Sequence, residues 1–165
     1  MLREINAAEI DQLAQLWFDV WHQSHAPLSP PDLVRLRTLD NFRERLQAVR
    51  ADIRVVGPSG AIIGFCALKQ DELYQLFVAQ AAHGSDVARR LIADAEARLV
   101  ERGVGTAWLT CAIGNERAAR FYEKCGWRRT GTVVNMAETS QGPFPVQIWR
   151  YEKRLALPSI SSQAS

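Results

Sequence analysis

The sequence predicts a single α/β domain of the α+β type, in which a mixed, mostly antiparallel central sheet carries helices on both faces. Two observations lead to this prediction. Apolar residues recur at helical spacing in four segments, and the shorter apolar runs between them have the length of strands. Alternating strands and helices in the second half imply parallel pairing there, whereas tight turns elsewhere imply antiparallel pairing.

The first part of the chain predicts a strand followed by two helices. Residues 2–5 form the strand candidate, and Asn6 with Glu9 resembles a capping box at the start of the next helix. Ser29, followed by two prolines, opens the second helix, which restarts at Asp40. The apolar stripes of these helices consist of Ile10, Leu13, Ala14, Trp17, Val20 and Trp21, and of Phe42, Leu46 and Val49.

Six more strands and two more helices are expected after that. The Gly-Pro-Ser-Gly stretch at residues 57–60 is a good hairpin turn between the first two of these strands. One helix begins near Val87, and the other begins at Asn115 and is closed by Gly126. A loop with the Gly-Pro pair at 142–143 joins the last two strands. The strands are expected at residues 53–56, 61–68, 73–78, 108–111, 128–137 and 146–151.

Composition excludes several classes of protein. Apolar residues make up 47% of the chain and the net charge is only +2, which argues against a dedicated binder of nucleic acid or of an anionic membrane. The odd number and wide spacing of the three cysteines indicate neither a disulfide framework nor a metal site. These cysteines, which we expect to be small core residues, are Cys66, Cys111 and Cys125.

The chain length fits one domain. We expect residues 1–155 to form it and residues 156–165, which are rich in serine, to form a flexible tail. No apolar run approaches the ~20 residues of a membrane span, and the start of the chain lacks the apolar region of a signal peptide. We therefore expect a cytoplasmic protein that does not bind membranes.

The segment from Asn115 to Trp127 carries the strongest functional signal. Asn115 can cap a helix by accepting a hydrogen bond from a backbone N–H. Ala118, Tyr122 and Cys125 then share one face of that helix. Taken alone, Tyr122 is explained better as a core aromatic residue whose hydroxyl is hydrogen-bonded than as a catalytic residue.

A second segment, residues 78–91, combines the end of a strand, a short loop and the start of a helix. The first N–H groups of a helix have no partner within it and lie at the positive end of its dipole, so such a turn can hold a diphosphate. The structural alternative is that Ser85 or Asp86 merely caps the helix.

Together the two segments resemble the GNAT superfamily of N-acetyltransferases. The first looks like the family's asparagine–alanine–phenylalanine–tyrosine–glycine motif, and the second sits where the family's pyrophosphate loop belongs. The family usually has glutamine or arginine, two residues, glycine, one residue, and then glycine or alanine in that loop. Here Ala88 fits this pattern, whereas His83 and Asp86 depart from it. The resemblance runs over residues 53–151.

This resemblance implies an acetyl-CoA site and a transfer of the acetyl group to an amine. A backbone N–H near Phe77 or Val78 would polarise the thioester carbonyl. Tyr122 would protonate the departing thiolate, and Glu72 is the nearest carboxylate that could act as a base, although exposure at the start of a strand also explains it. The expected cofactor-binding residues are Phe77, Val78, His83, Gly84, Ser85, Asp86, Val87, Ala88, Arg89 and Asn115.

The acceptor and two other functions stay open at this point. The amine is either a small molecule or a protein lysine, and a homodimer is compatible with the sequence. One alternative is a GNAT-like domain that has lost catalysis and serves as an acyl-CoA-binding or regulatory module, which Asp86 favours and Tyr122 disfavours. A thiol hydrolase that pairs a cysteine with His22, His25 or His83 has no nucleophile signature to support it.

Overall fold

A computed structural model describes residues 2–156, in which seven strands form one mixed sheet in the order β1-β2-β3-β4-β5-β7-β6. Every neighbouring pair is antiparallel except β4 and β5, so the predicted fold class is confirmed. The strands are β1 (Leu2–Glu4), β2 (Ile53–Val56), β3 (Gly64–Lys69), β4 (Glu72–Val78), β5 (Thr106–Ala112), β6 (Arg128–Thr139) and β7 (Gly142–Arg154). Residues 157–165 of the predicted tail lie outside the described residues.

Five α-helices cover the two faces of the sheet. They are α1 (Ile10–Ser24), α2 (Pro31–Leu36), α3 (Leu39–Ala48), α4 (Val87–Glu101) and α5 (Glu116–Lys124). The predicted second helix is thus two helices, because the chain leaves helical geometry at Arg37 and is capped again by the Thr38 hydroxyl. Within residues 2–156, no helix is both long and apolar enough to cross a membrane.

Two apolar clusters hold the helices to the sheet. On one face, α1, α2 and α3 pack around the fully buried Trp17, whose indole makes edge contacts with Phe42 at 4.8 Å and Phe65 at 5.7 Å. On the other face, α4 and α5 pack on β3, β4, β5 and β7 through residues such as Leu91 and Tyr151. Strands β2, β3 and β4 contribute buried residues to both clusters and are therefore covered on both sides, whereas β6 is mostly exposed.

The start of α1 is anchored by a buried carboxylate. Glu9 is 3% exposed, accepts from the Asn6 N–H at 3.2 Å and forms a bidentate pair with Arg3 of β1. The Arg3 guanidinium holds the pKa of Glu9 at about 2, well below its ordinary value. The predicted capping pair thus also ties the first helix to the sheet.

The last two strands form a longer hairpin than predicted. They are joined by two residues, Ser140 and Gln141, and the predicted loop at 142–143 lies within β7. The prolines at 143 and 145 are tolerated because this end of β7 pairs with β6 alone, while pairing with β5 begins only at Ile148.

The predicted strand at 61–68 begins later, at Gly64, because the preceding turn is wider than four residues. Gly57 has a φ of +110°, and a Cβ atom built on it would lie 2.4 Å from the carbonyl oxygen of Ala61. Residues 61–63 are needed to bring the chain back beside β2, and the Ile63 N–H donates to the Val56 carbonyl at 2.8 Å. The expected hairpin is present, but its turn is longer.

Two glycines of this turn should respond differently to alanine. Gly57→Ala meets both an unfavourable backbone conformation and the Ala61 carbonyl, whereas Gly60, with a φ of +88°, has no atom within 4 Å of its built Cβ. We expect Gly60→Ala to lower the free energy of unfolding by about 1 kcal/mol and Gly57→Ala by about 3 kcal/mol. Urea unfolding followed by circular dichroism measures both; equal losses would contradict the close approach at Gly57.

Candidate active site

Strands β4 and β5 separate after a single paired position. They pair only where Glu72 faces Trp108, and the Trp108 indole N–H donates to the Asp71 carboxylate at 2.9 Å beside that position. One step further, the register between β3 and β4 shifts so that Tyr74 is an extra residue in β4. Such a bulge bends a strand and ends its pairing. An open cleft of about 490 Å³ lies between the two strands beyond it.

The cleft brings together most of the residues that the sequence singled out. Its walls are residues 73–78 of β4 and 110–112 of β5, and its rim comes from the loop before α4, one face of α5 and the end of α1. The predicted residues that line it are Phe77, Val78, His83, Gly84, Ser85, Ala88, Arg89, Asn115 and Tyr122.

Three predicted residues do not line the cleft. Val87 is 5% exposed and packs in the α4 cluster, so only its backbone faces the loop. Asp86 is exposed at the first position before α4, and its side chain makes no capping hydrogen bond. Glu72 lies at the other end of β4 from Val78, about 20 Å away along a strand of this length.

The loop before α4 presents unpaired backbone donors. Gly84 has a φ of +84°, which allows the chain to turn sharply into the helix. The Ser85 hydroxyl donates to the Ala82 carbonyl at 2.5 Å and accepts the Val87 N–H at 3.4 Å. Within residues 2–156, no protein acceptor pairs with the N–H groups of Gly84, Asp86, Ala88 and Arg89. Clustered donors at a helix start form an anion site.

The side chain of Asn115 has one polar atom that is hydrogen-bonded within the protein and one that is available to a ligand. Its side-chain oxygen accepts the Ala118 N–H at 3.3 Å and so caps α5, as predicted from the sequence. Its amide nitrogen has no hydrogen-bond partner among the described residues. Because Asn115 lines the cleft, this nitrogen is a donor for a ligand there.

Tyr122 differs from the other two tyrosines of the chain in the hydrogen bonding of its hydroxyl. The Tyr74 hydroxyl accepts from Arg45 at 2.9 Å, and the Tyr151 hydroxyl donates to Glu123 at 2.6 Å. Tyr122 is 9% exposed and lines the cleft, and in the described part of the chain nothing hydrogen-bonds its hydroxyl. Burial, reinforced by the nearby Cys111 and Cys125, raises the pKa of Tyr122, so the hydroxyl stays protonated at neutral pH.

The backbone of β4 presents alternate N–H groups to the cleft. The Ala79 N–H donates to the Ile63 carbonyl at 2.8 Å, on the β3 side. Because N–H groups alternate along a strand, that of Phe77 also points to β3. The N–H groups of Leu76 and Val78 point the other way, towards β5. Of the two donors expected from the sequence, Val78 is the one that faces the cleft.

Three cations of α5 on the rim were not among the residues predicted from the sequence, whereas Arg89 beside them was. Arg117, Arg120 and Lys124 lie on one face of α5 and, with Arg89 of α4, line the cleft. In the span 2–156, none of the four has a carboxylate within 4.0 Å. Their spacing of three and four residues was a signal in the sequence that they share a face.

His25 was also missed as a cleft residue. It follows α1 directly and lies against Phe77 of β4, with 5.5 Å between the ring centroids. No local pattern in the sequence indicates this, because the contact depends on how α1 packs across the sheet. The cysteine in the cleft, Cys111, donates its thiol to backbone carbonyls rather than to a histidine, and burial raises its pKa to about 12. It is thus a poor nucleophile.

Comparison with known proteins agrees with this geometry. Residues 10–127 match the profile of the acetyltransferase (GNAT) family. An N-acetyltransferase of Mycobacterium tuberculosis, itself without an assigned function, is 31% identical over 96 residues, which are 55% of this chain and 62% of that protein. The match thus spans less than two thirds of the curated relative.

Solved structures share the fold. An N-acetyltransferase from Rhodopseudomonas palustris is 19% identical and superposes with a TM-score of 0.74, covering 94% of this chain and 95% of that one. The spermidine N-acetyltransferase of Vibrio cholerae, solved with CoA and spermine, is 20% identical with a TM-score of 0.64, covering 93% of this chain and 94% of that one.

Glu72 yields a prediction about stability. It is half-buried, and desolvation raises its pKa to about 7 from 4.5, with Lys69 opposing and Glu138 reinforcing the shift. Because folding raises this pKa, the protein loses stability as the pH rises through about 7. We expect Glu72→Gln to raise the free energy of unfolding at pH 8 by about 1–2 kcal/mol and to change it little near pH 4.5.

Urea unfolding at the two pH values measures this difference. Glu101→Gln, which changes an exposed carboxylate at the end of α4, is the matched control and should show no such pH dependence. Greater destabilisation of the Glu72→Gln protein at pH 8 than at pH 4.5 would show that the Glu72 carboxylate is stabilised when charged, which would contradict the raised pKa.

Proposed function

The chain belongs to the acetyltransferase (GNAT) family, and we propose that it transfers an acetyl group from acetyl-CoA to a primary amine by direct attack. The observation that carries this proposal is the composition of the cleft. A free tyrosine hydroxyl lies in one opening with a cluster of unpaired backbone donors and a cationic rim. Those are the groups that a thiolate leaving group and a polyphosphate require.

The phosphates of the cofactor would lie on the loop before α4. The free N–H groups from Gly84 to Arg89 would hold the diphosphate at the positive end of the helix. The cations of α5 would face the remaining phosphate charge. Asp86 opposes this, since at ~6 Å from a phosphate its repulsion is roughly 0.7–3 kcal/mol for effective dielectrics of 80 to 20. Because Asp86 is exposed to water, where the effective dielectric is high, the repulsion lies towards the lower end of this range.

The acyl arm would run along the open edge of β4. The Val78 N–H would donate to the thioester carbonyl, where negative charge develops as the amine attacks. The amide nitrogen of Asn115 would donate to the pantetheine portion from the opposite wall. These contacts take the place of the strand pairing that β4 and β5 lack beyond Glu72 and Trp108.

Tyr122 would protonate the departing thiolate. With reference pKa values of ~10 for tyrosine and ~8.5 for a thiol, this transfer is uphill by roughly 2 kcal/mol. Burial weakens Tyr122 as an acid, but the thiolate is desolvated in the same place, so burial raises both pKa values. Breakdown of the tetrahedral intermediate offsets the remaining difference.

The amine must lose a proton during the reaction. An alkyl ammonium with a pKa of ~10.4 is almost entirely charged at pH 7, so reaching the neutral nucleophile costs roughly 4–5 kcal/mol. Glu72 was the candidate base, but its position outside the cleft gives it no contact with an amine that attacks near Val78. The acceptor is a small amine or a protein lysine, and the spermidine N-acetyltransferase of similar fold supports an amine.

Tyr122→Phe tests the proposed acid. We expect it to lower kcat by about 10²–10⁴-fold, the usual range for a general acid, and to leave CoA affinity and the melting temperature nearly unchanged. Tyr151→Phe is the matched control, because it removes a hydroxyl that is bonded to Glu123 and Arg129. That variant should be less stable but retain kcat.

Turnover is measured as free CoA thiol released in the presence of primary amines. Equal kcat for the Tyr122→Phe and unchanged proteins, with chemistry shown to be rate-limiting, would remove Tyr122 from the mechanism. CoA binding without turnover by any amine would instead favour a non-catalytic acyl-CoA-binding module.

Charge changes at the rim should move CoA affinity in opposite directions. We expect Asp86→Asn to tighten CoA binding about threefold and Arg120→Gln to weaken it about threefold, as the sign of each charge requires. Arg90→Gln, on the exposed side of α4 and outside the cleft, should have little effect. Calorimetric titration measures all three, and the absence of heat from millimolar CoA with the unchanged protein would end the cofactor proposal.

A further inference from the structure

His25 lies in the cleft on the wall opposite α5. Its ring contacts Phe77 of β4 on one side and stacks on Trp21 of α1 at 6.1 Å. Both His25 and Tyr122 line the opening between β4 and β5, and they reach it from opposite faces of the sheet. An acyl group held on the edge of β4 would therefore have the tyrosine on one side and the imidazole on the other.

The hydrogen bonds of Ser24 determine which nitrogen of His25 carries the proton. The Ser24 hydroxyl donates to the Val20 carbonyl at 2.7 Å, and its oxygen lies 2.6 Å from Nδ1 of His25. A carbonyl can only accept, so the single hydroxyl proton is used on Val20. The Ser24 oxygen must then accept from His25 Nδ1–H, and the lone pair lies on Nε2.

The Nε2 atom of His25 is available to a ligand, since within residues 2–156 nothing hydrogen-bonds it. We propose that His25 accepts a proton from the attacking amine at Nε2 and releases the proton on Nδ1 to solvent through Ser24. The proposal rests on the proposed acetyl transfer. It assigns to the end of α1 the base that Glu72 does not provide.

Proton transfers accompany both the attack of the amine and the departure of the thiolate. The amine nitrogen bonds to the thioester carbon, its N–H bond breaks, and that proton goes to His25 Nε2. The Nδ1 proton passes to the Ser24 oxygen, whose own proton goes to water. The C–S bond then breaks, and the thiolate takes the hydroxyl proton of Tyr122, which is restored from solvent. Proton exchange with solvent, loss at Nε2 and gain at Nδ1, returns His25 to its starting tautomer. The products are the amide and CoA.

A proton relay fits the surroundings of His25 better than a ring that takes up the proton and stays cationic. Burial and the positive charge of Arg45 on α3 lower the pKa of His25 to about 4, so a cationic ring is disfavoured. A ring that loses the Nδ1 proton as Nε2 gains one never carries the full charge. The neighbouring rings of Trp21 and Phe77 do not titrate, and Ser24 is exposed, which gives the proton a route to water.

His25→Gln tests the inference with His22→Gln as the matched control. His22 lies three residues earlier, and its Nδ1 is bonded to the Phe18 carbonyl at 2.9 Å outside the cleft. With spermidine and a lysine peptide as acceptors at pH 7.5, we expect His25→Gln to lower kcat about 10²-fold while the Kd for CoA is unchanged. The deficit should narrow as the pH rises and hydroxide takes the proton. The His22→Gln variant should keep its kcat.

Ser24→Ala and the double variant test the relay itself. Ser24→Ala should lower kcat in the same direction, and the double variant with His25→Gln should be no slower than His25→Gln alone, because both changes interrupt one proton path. If the fold-loss in kcat of the double variant equalled the product of the two single fold-losses, the two residues would act independently, and the relay would be overturned. Unchanged kcat in His25→Gln, or a loss found instead in Glu72→Gln, would overturn the role of His25.

A measurement that needs no substrate separates this inference from the proposed function. The ¹⁵N chemical shifts of the histidine rings should show His25 as the neutral Nδ1–H tautomer at pH 7, and Ser24→Ala should shift it towards the Nε2–H form. An Nε2–H tautomer or a cationic ring in the unchanged protein would overturn the inference even if the protein transfers acetyl groups. The expected tautomer in a protein that releases no CoA thiol with any amine would overturn the proposed function, and with it the catalytic role of His25.

Discussion

The extra residue in β4 is the constraint on which the site depends. Regular pairing along the whole of β4 and β5 would leave no space between the strands and no free N–H on Val78. The bulge at Tyr74 ends that pairing after Glu72 and Trp108, while apolar packing holds β4 from both faces and β5 from the face of α4 and α5. The cleft is therefore a gap within the sheet, and both of its walls are strands with buried residues in the apolar clusters.

The two faces of the sheet contribute different chemistry to this gap. The layer of α4 and α5 supplies the helix-start donors, the cations and Tyr122, all suited to a phosphorylated thioester and its leaving group. The layer of α1 to α3 supplies His25, suited to the incoming amine. In the proposed mechanism, the proton donor and the proton acceptor thus approach the edge of β4 from opposite sides, so each proton transfer would take place on its own side of the thioester.

Local patterns in the sequence predicted those parts of the protein that depend on local interactions. The Asn115 cap, the start of α4 near Val87 and the order of the strands along the chain follow from side-chain type and spacing, and the structure has them. The width of the turn at Gly57 and the two-residue turn of the last hairpin depend on how distant segments meet, and both differ from the prediction. His25 could not be found for the same reason, since only the packing of α1 across β4 brings it to the cleft. The cations of α5 could have been found, because their spacing alone places them on one face.

The single paired position between β4 and β5 also has a mechanical consequence. It leaves β1 to β4 and β5 to β7 as two half-sheets that are joined by backbone hydrogen bonds at one end only. A ligand that bonds to both walls would bridge them where the ladder is missing. Occupancy at 100 times Kd would then add about 2.7 kcal/mol to the free energy of unfolding, and much of that gain would appear as resistance of the two half-sheets to moving apart.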